Sequence, residues 1–281
     1  MKKGWIALDI DGTVTDNVYE VPRPVDDYLH SLVDKGWNIV FITGRTYSFA
    51  IKPLKTLSFP YTLGVQNGAD ILRMPTKEKI FRNYLSSDVL AIVDEACKGQ
   101  KEDYLVYTGY ERGDSCYYRP DRFSKDLLEY FEVLKTLATD PWVEVKSFPL
   151  EELKGFPLIK CFGTEEDMYK VSEYLAKYPD IKTSVIRDPI KKEVFLTMIT
   201  NKEATKGNVV RFVCRKEHPN LPVIAAGDDM NDIPMLVEAD VKIVMENAPK
   251  KMLSLADIVA PSASQHGLIQ GLEKAIKKYD A

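Results

Sequence analysis

Near its start the chain reads Trp5-Ile6-Ala7-Leu8-Asp9-Ile10-Asp11-Gly12-Thr13, an apolar run followed by two aspartates and a Gly-Thr turn. The apolar run predicts a short buried strand that ends at Asp9. Two carboxylates at the edge of an apolar core repel each other and lose hydration, so they need a cation or a hydrogen-bond network. Carboxylates beside a glycine turn also suit a hard, oxygen-seeking ion such as Mg²⁺. This stretch therefore indicates a metal site that can also hold a phosphate.

The composition is that of an ordinary globular enzyme and excludes some classes of partner. The 281 residues are 45% hydrophobic and 28% charged, with a formal net charge of −4. This length suits a core domain with a smaller second domain. The charge provides no basic field for nucleic acid or an anionic membrane, so a bound anion needs a local site. We therefore predict no nucleic-acid or membrane partner, and nothing in the sequence indicates an obligate protein partner.

The cysteines and the apolar segments indicate the cell compartment. The four cysteines show no C-x-x-C spacing, and scattered free thiols fit a reducing interior. The first apolar run is cut by Asp9, which makes it too short for a signal-peptide core. No stretch approaches the roughly 18 apolar residues that a membrane helix needs. These observations predict a cytoplasmic protein.

Strand and helix patterns alternate at both ends of the chain. Strands are predicted over residues 5–8, 38–42, 63–66, 222–226, 241–245 and 258–260, and helices over 24–35, 204–215, 233–238 and 268–278. Alternation of this kind is typical of a parallel sheet with crossover helices. We therefore predict an α/β fold with a Rossmann-like, doubly wound parallel sheet as its core.

The middle of the chain has a different, α+β pattern. Two β-rich runs over residues 105–109 and 115–118 flank Arg112-Gly113-Asp114, which predicts a hairpin. Thr164 and Asp167 have the spacing of a capping box at the start of a helix over residues 165–177. We therefore predict a core domain of residues 1–72 and 200–281, with an inserted α+β domain of residues 73–199.

Polar segments follow four of the predicted parallel strands. They are Asp9 to Thr13, Thr43 to Arg45, Asn67-Gly68 and Gly227 to Asp232. In open α/β sheets, ligands bind at the carboxyl ends of the strands. We therefore expect these segments to meet in one crevice.

Gly227-Asp228-Asp229-Met230-Asn231-Asp232 is the second strong signal, because it places three aspartates and an asparagine within six residues. Helix capping explains one of these aspartates, and metal ligation explains the excess. Lys206 lies near the start of a predicted helix, where a cation opposes the helix dipole but suits a bound phosphate. The plainer alternatives are a solvated lysine, a capping hydroxyl for Thr43 and a surface ion pair for Arg45.

Taken in order, Asp9-x-Asp11-Gly12-Thr13, Thr43-Gly44-Arg45, Lys206-Gly207 and Gly227-Asp228-x-x-Asn231-Asp232 resemble the motifs of the haloacid dehalogenase-like (HAD) phosphatases. The similarity is greatest to the Cof-type branch, whose pattern Asn67-Gly68-Ala69 and Glu246-Asn247-Ala248 also resemble. The insertion between Arg45 and Lys206 matches the large C2-type cap of that branch, which sets substrate specificity.

The resemblance implies a role for each motif residue. Asp9 is the nucleophile that forms an aspartyl-phosphate, and Asp11 is the general acid and base. Mg²⁺ is held by Asp9, the backbone carbonyl of Asp11, Asp228 and, through water or as an orienting group, Asp232. The residues expected to bind phosphate or substrate are Gly12, Thr43, Gly44, Arg45, Asn67, Lys206, Asn231 and Asn247.

The function so implied is Mg²⁺-dependent hydrolysis of a small phosphate ester, with a sugar phosphate as the expected substrate. A phosphosugar mutase similar to phosphomannomutase is an alternative, because it uses the same two aspartates but returns the phosphoryl group to the sugar. A non-catalytic protein that binds a phosphate ligand is another. Asp11 argues against that alternative, since a binding protein needs no general acid.

Overall fold

The computed structural model describes residues 2–137, 140–149, 154–188, 190–216 and 218–280. The strands are β1 (Gly4–Leu8), β2 (Trp37–Ile42), β3 (Tyr61–Val65), β4 (Asp70–Met74), β5 (Glu78–Arg82), β6 (Tyr104–Tyr107), β7 (Cys116–Tyr118), β8 (Trp142–Glu144), β9 (Leu158–Gly163), β10 (Ile181–Arg187), β11 (Phe195–Asn201), β12 (Val223–Gly227), β13 (Val241–Met245) and β14 (Ile258–Ala260). The helices are α1 (Arg23–Asp34), α2 (Tyr47–Leu54), α3 (Val89–Ala96), α4 (Lys125–Leu137), α5 (Glu165–Leu175), α6 (Lys206–Val210), α7 (Ile233–Val237), α8 (Lys250–Leu253) and α9 (Gly267–Asp280).

These elements form two compact units. The first contains residues 2–45, 50–82 and 205–280, and the second contains residues 46–49 and 83–204. Across the described ranges, no helix is both long and apolar enough to cross a bilayer.

The first unit is built on a sheet with the strand order β14-β13-β12-β1-β2-β3-β4-β5. The pairings from β14 to β3 are parallel, with Leu8 of β1 opposite Ala226 on one side and Phe41 on the other. All five residues of β1 are buried, so helices cover both faces of the sheet. The predicted α/β fold with a parallel sheet core is confirmed.

Helices pack on this sheet through their apolar faces. In α1 the buried residues Val25, Leu29 and Leu32 have the spacing of one helical face, and α1 packs beside β2 and α9. On the other face, Val209 of α6 and Met235 of α7 join the apolar side chains of β1 and β2 in one core. Helix α7 therefore fixes the end of the loop that follows β12, and α6 packs against α7.

The second unit is a six-stranded sheet with the order β10-β11-β9-β6-β7-β8. Its pairings are antiparallel except for β7 with β8. One apolar core contains residues of α3 and α5, and a second contains residues of α4. Thr164 caps α5 by accepting a hydrogen bond from the backbone N–H of Asp167 at 3.2 Å, at the position that the sequence predicted.

The two compact units have other bounds than the predicted domains of residues 1–72 with 200–281 and 73–199. Strands β4 and β5 belong to the first unit, because they extend its sheet from β3 as an antiparallel meander. Residues 46–49 belong to the second unit, where the backbone N–H of Ser48 donates to Asp114 at 2.9 Å. Residues 200–204 also stay in the second unit, since β11 runs to Asn201.

Local elements also differ from the sequence prediction. Gln66, predicted as the last residue of a strand, begins a 3₁₀ turn and has a φ of 48°. The helix predicted over residues 204–215 is α-helical only from Lys206 to Val210 and continues as a π-helical turn from Arg211 to Arg215. Helices α2 and α3 were not predicted, because each has only eight residues.

Candidate active site

Asp9 lies at the carboxyl end of β1, between the ends of β2 and β12. Its backbone N–H donates to the carbonyl of Ala226 at 3.1 Å, which continues the parallel ladder by one residue. The side chain is buried. A buried carboxylate must be compensated by a neighbouring group, because burial removes its hydration.

Lys206 supplies that compensation for two carboxylates at once. Its Nζ donates to Oδ1 of Asp9 and to Oδ1 of Asp232, each at 2.5 Å. The Lys206 side chain is only 1% exposed, so both ion pairs are shielded from water. The side chain of Thr205 caps the helix by accepting from the backbone N–H of Asn208 at 3.2 Å. The lysine that fits poorly at the start of a helix is therefore a buried counter-ion.

Asp232 holds both the Lys206 side chain and the loop that follows β12. Its Oδ2 accepts the backbone N–H groups of Asp228 at 3.0 Å and Asp229 at 3.1 Å. Asp229 in turn caps the following turn, and together they form a reciprocal capping box. Because both oxygens of Asp232 are engaged, its role here is to orient Lys206 and the loop.

One carboxylate oxygen from each of Asp9, Asp228 and Asp232 lies within 4.8 Å of the other two. Oxygen donors from carboxylates at this spacing suit a hard divalent cation such as Mg²⁺. The hydroxyl of Thr13 donates to Oδ1 of Asp228 at 3.3 Å and steadies that side chain. The donor set therefore fits the metal that the motifs implied.

Gly12 permits the close approach of Asp228. It has a φ of 72°, which L-residues other than glycine rarely adopt. A Cβ at this position would collide with Oδ2 of Asp228. Two independent reasons, backbone conformation and space, therefore require glycine beside the carboxylate cluster.

The electrostatics of the cluster favour a cation. Burial, with repulsion from Asp232 and Asp228, raises the pKa of Asp9 well above its ordinary value despite the attraction of Lys206. Burial and repulsion from Asp232 raise the pKa of Asp228 to about 6. Although burial alone would lower it, Asp9 and Asp232 raise the pKa of Lys206 above its ordinary value. Lys206 thus stays charged, but its single positive charge does not fully compensate the carboxylates of Asp9 and Asp228.

A second corner of the site follows β2 and β3. Thr43 is buried, and its carbonyl accepts the backbone N–H of Asn67 at 2.8 Å. Asn67 has a φ of 58°, and its Oδ1 accepts from Nδ2 of Asn231 at 3.4 Å. Gly44 lies against Asn67, where an added Cβ would be 3.5 Å from its Oδ1. This corner therefore brings together three of the four predicted segments, those that contain Thr43, Asn67 and Asn231.

Asp11 and Arg45, both predicted site residues, contact each other. Nε of Arg45 donates to Oδ2 of Asp11 at 2.8 Å, and its Nη2 bonds to Oδ1 of the same carboxylate. The sequence assigned Arg45 to the phosphate or to a surface ion pair and did not identify this partner. A pair separated by 34 residues carries no local signal, although both lie at strand ends on the predicted edge.

Asn247 differs from the other predicted residues. It is exposed in the turn after β13, and no hydrogen bond joins its side chain to another described residue. Thr13 is the reverse case, because the motif contained it but no role was assigned to it. Its contact with Asp228 depends on two segments 215 residues apart.

Comparisons with known proteins show the family of the chain. The sequence model of the haloacid dehalogenase-like hydrolases matches residues 6–272. A phosphoglycolate phosphatase of Methanobrevibacter smithii is 23% identical over 273 residues, which cover 96% of this chain and 97% of that protein.

Solved structures with a similar fold cover nearly the whole chain. A haloacid dehalogenase-like hydrolase from Bacteroides thetaiotaomicron superposes with a TM-score of 0.77 at 21% identity, over 98% of this chain and 100% of that one. The HAD subclass IIB sugar phosphatase BT4131 gives a TM-score of 0.69 at 20% identity, over 99% of both chains. At these identities the superpositions show a shared fold.

Proposed function

Because the chain belongs to the haloacid dehalogenase-like hydrolase family and is a phosphatase, we propose that it hydrolyses a small phosphate ester with Mg²⁺, through an aspartyl-phosphate on Asp9. One observation supports this above all. Lys206 joins Asp9 to Asp232 in a buried cluster whose third carboxylate, Asp228, lies within 4.8 Å. Such a cluster has more negative charge than its lysine compensates, as expected of a metal-assisted phosphoryl-transfer site.

The residues that would hold Mg²⁺ are Asp9 and Asp228, with the backbone carbonyl of Asp11. When bound, the ion neutralises negative charge on the phosphoryl oxygens. Asp232 would act through the loop, because its own oxygens accept from Lys206 and from two backbone N–H groups. This is the orienting role that the sequence left open for it.

In the first step, an oxygen of Asp9 bonds to phosphorus while the bond from phosphorus to the leaving oxygen breaks. Asp11 donates a proton to that oxygen, so that the product leaves as an alcohol. In the second step, Asp11 takes a proton from water, and the water oxygen attacks phosphorus. The bond to Asp9 then breaks, which releases inorganic phosphate and restores both carboxyl groups.

The phosphoryl oxygens would be held by donors on the chain. Lys206 carries the charge for this role, and the buried Thr43 supplies a hydroxyl beside the backbone N–H groups near Gly12 and Gly44. Asn67 and Asn231 form the hydrogen-bonded rim of the same corner. Asn247, which is exposed in the turn after β13, would contact only the part of the substrate at the rim of the site.

For the substrate we propose a phosphorylated small metabolite, with sugar phosphates as the first class to test. Relatives named a phosphoglycolate phosphatase and a sugar phosphatase support a small phosphorylated substrate. We also propose that the inserted second unit acts as a cap that sets specificity. A cytoplasmic location remains a prediction of the sequence.

The decisive experiment is release of phosphate from 4-nitrophenyl phosphate by the full chain, with Mg²⁺ and with EDTA. We expect turnover only with Mg²⁺, and none in Asp9→Asn, whose circular dichroism spectrum should match the wild type. Asp34→Asn, at an exposed helix position, is the matched control and should retain full activity. Full activity of Asp9→Asn, or of the wild type in EDTA, would overturn the proposal.

A further inference from the structure

The carboxylate of Asp11 is held at both of its oxygens by one guanidinium. Nε of Arg45 donates to Oδ2 at 2.8 Å, and Nη2 of Arg45 bonds to Oδ1. Two parallel bonds of this kind fix the plane and the direction of a carboxylate, which a single bond does not. The geometry of Asp11 is therefore set by a partner outside its own turn.

The exposed fractions of the two side chains show that Arg45 is the rigid partner and that Asp11 is the one whose position depends on it. The Arg45 side chain is 6% exposed, whereas that of Asp11 is 53% exposed. The backbone of Arg45 is tied on both sides, because its N–H donates to Oγ1 of Thr43 at 3.1 Å and its carbonyl accepts from the N–H of Gln66 at 2.8 Å. Arg45 is thus part of the rigid edge of the sheet. Asp11, without it, would be free to sample several rotamers.

We propose that Arg45 is a positioning residue that aims the carboxyl group of Asp11 at the leaving group, and that it does not bind the phosphate. This inference rests on the proposed function, in which Asp11 is the general acid and base. An arginine suits the task because its planar fork matches a carboxylate and its charge does not depend on pH in the working range.

The alternative role as a phosphate ligand requires the guanidinium to point at the phosphoryl group beside Lys206 and Thr43. Two of its three nitrogens instead bond to Asp11, and Nη1 lies 3.5 Å from the carbonyl of Val18. The two roles differ in a measurable way. A phosphate ligand assists every substrate equally, whereas a residue that acts through the general acid assists only esters whose leaving oxygen needs a proton.

The test is kcat/KM of the full chain for phosphate monoesters that differ in the leaving group: 2,4-dinitrophenyl, 4-nitrophenyl, phenyl and alkyl phosphates. We expect Arg45→Ala to lose about 10- to 100-fold on the alkyl ester and less than about 3-fold on the dinitrophenyl ester. Arg45→Lys, which keeps a charge but not the fork, should lie between Arg45→Ala and the wild type. Arg23→Ala, at a side chain 91% exposed, is the matched control and should show no loss.

A double-mutant cycle with Asp11→Asn separates positioning from a general loss of structure. If Arg45 acts through Asp11, Arg45→Ala should cost less than about 2-fold in the Asp11→Asn background on every ester. Unfolding midpoints in urea show whether each variant is folded. If Arg45→Ala does not fold, the same comparison of esters is made with Arg45→Lys.

Equal losses of Arg45→Ala across all leaving groups, or losses that multiply with Asp11→Asn, would overturn the inference. Both outcomes would leave the proposed function intact, because they require an active wild type. Absence of Mg²⁺-dependent turnover in the wild type would instead defeat the proposed function itself.

Discussion

Lys206 donates a 2.5 Å hydrogen bond to Asp9, although 197 residues separate the two in the sequence. The bond joins the segment after β1 to the start of α6. A buried ion pair is costly to break from one side, because the partner then remains charged without compensation. This relationship carries the first of four predictions.

Lys206→Met should destabilise the protein and abolish turnover. The substitution leaves the buried carboxylates of Asp9 and Asp232 without their shared ammonium, which costs about 3–5 kcal/mol of unfolding free energy. The measurement is urea denaturation in EDTA at neutral pH. Lys202→Met is the control, because Lys202 is half exposed and its Nζ pairs with the exposed Asp180 at 2.9 Å. It should change stability by less than about 1 kcal/mol. An unfolding midpoint of Lys206→Met equal to that of the wild type would contradict the geometry.

Stability without metal should fall as the pH rises from about 4 to about 6. Burial and Asp232 raise the pKa of Asp228 to about 6, and burial raises that of Asp9 well above its ordinary value. The folded chain therefore binds more protons than the unfolded chain in this window, so deprotonation favours unfolding. Denaturation in EDTA at several pH values measures the slope.

Asp228→Asn should make that slope shallower, and Asp27→Asn, at an exposed position, should leave it unchanged. Mg²⁺ at about 100 times its Kd should add about 2.7 kcal/mol to the wild type near neutral pH. The same addition to Asp228→Asn should have a much smaller effect. A wild-type slope of the opposite sign in EDTA would rule out this account of the carboxylate cluster.

Gly12→Ala should remove activity through two separate effects. An alanine at a φ of 72° is strained by about 1–2 kcal/mol, and its Cβ would displace the carboxylate of Asp228. Gly113→Ala is the matched control, because Gly113 has a φ of 71° and nothing within 4 Å of an added Cβ. It should lose similar stability but keep turnover. If both variants kept full activity, the close contact of Gly12 with Asp228 would not be needed for turnover.

Asp232→Asn should lose at least about 100-fold in kcat, although it changes a single atom. Its two oxygens accept from Lys206 on one side and from two backbone N–H groups on the other, and an amide nitrogen cannot accept from either. Asp229→Asn is the matched control, because asparagine caps a helical turn as well as aspartate does, and it should remain within about 3-fold of the wild type. Equal activity in both variants would show that Asp232 does not organise the loop.

The sequence predicted the parallel strands of the core sheet well, because most of their residues are buried and several of them end at polar turns. Strands β13 and β14 have the predicted bounds of 241–245 and 258–260. The end of β4 from Arg73 onward and all of β5 were assigned to the inserted domain, since β5 is a half-exposed edge strand without a strong apolar pattern. Helix α2 also has Pro53 near its end, which obscures a short helical pattern.

For the candidate site, the sequence predicted which segments meet but not which side chains pair. Strand order follows from general rules of parallel sheets, so convergence at one edge was predictable. The partners of Arg45 and Thr13 depend on side-chain directions across strands far apart in sequence, and those directions have no local signature. The poor fit of Lys206 to a helix start indicated a bound phosphate, but its pairing with Asp9 and Asp232 was not predicted.

The position of β1 between β2 and β12 has a consequence for biosynthesis. The ribosome synthesises Lys206, Asp228 and Asp232 about 200 residues after Asp9. At about 5–20 residues per second, β1 waits about 10–40 s for the neighbour that completes its ladder. During that time one flank of a wholly apolar strand is open, which makes the nascent chain a natural client for chaperones. The same delay keeps the proposed active site incomplete until Asp232 has been translated.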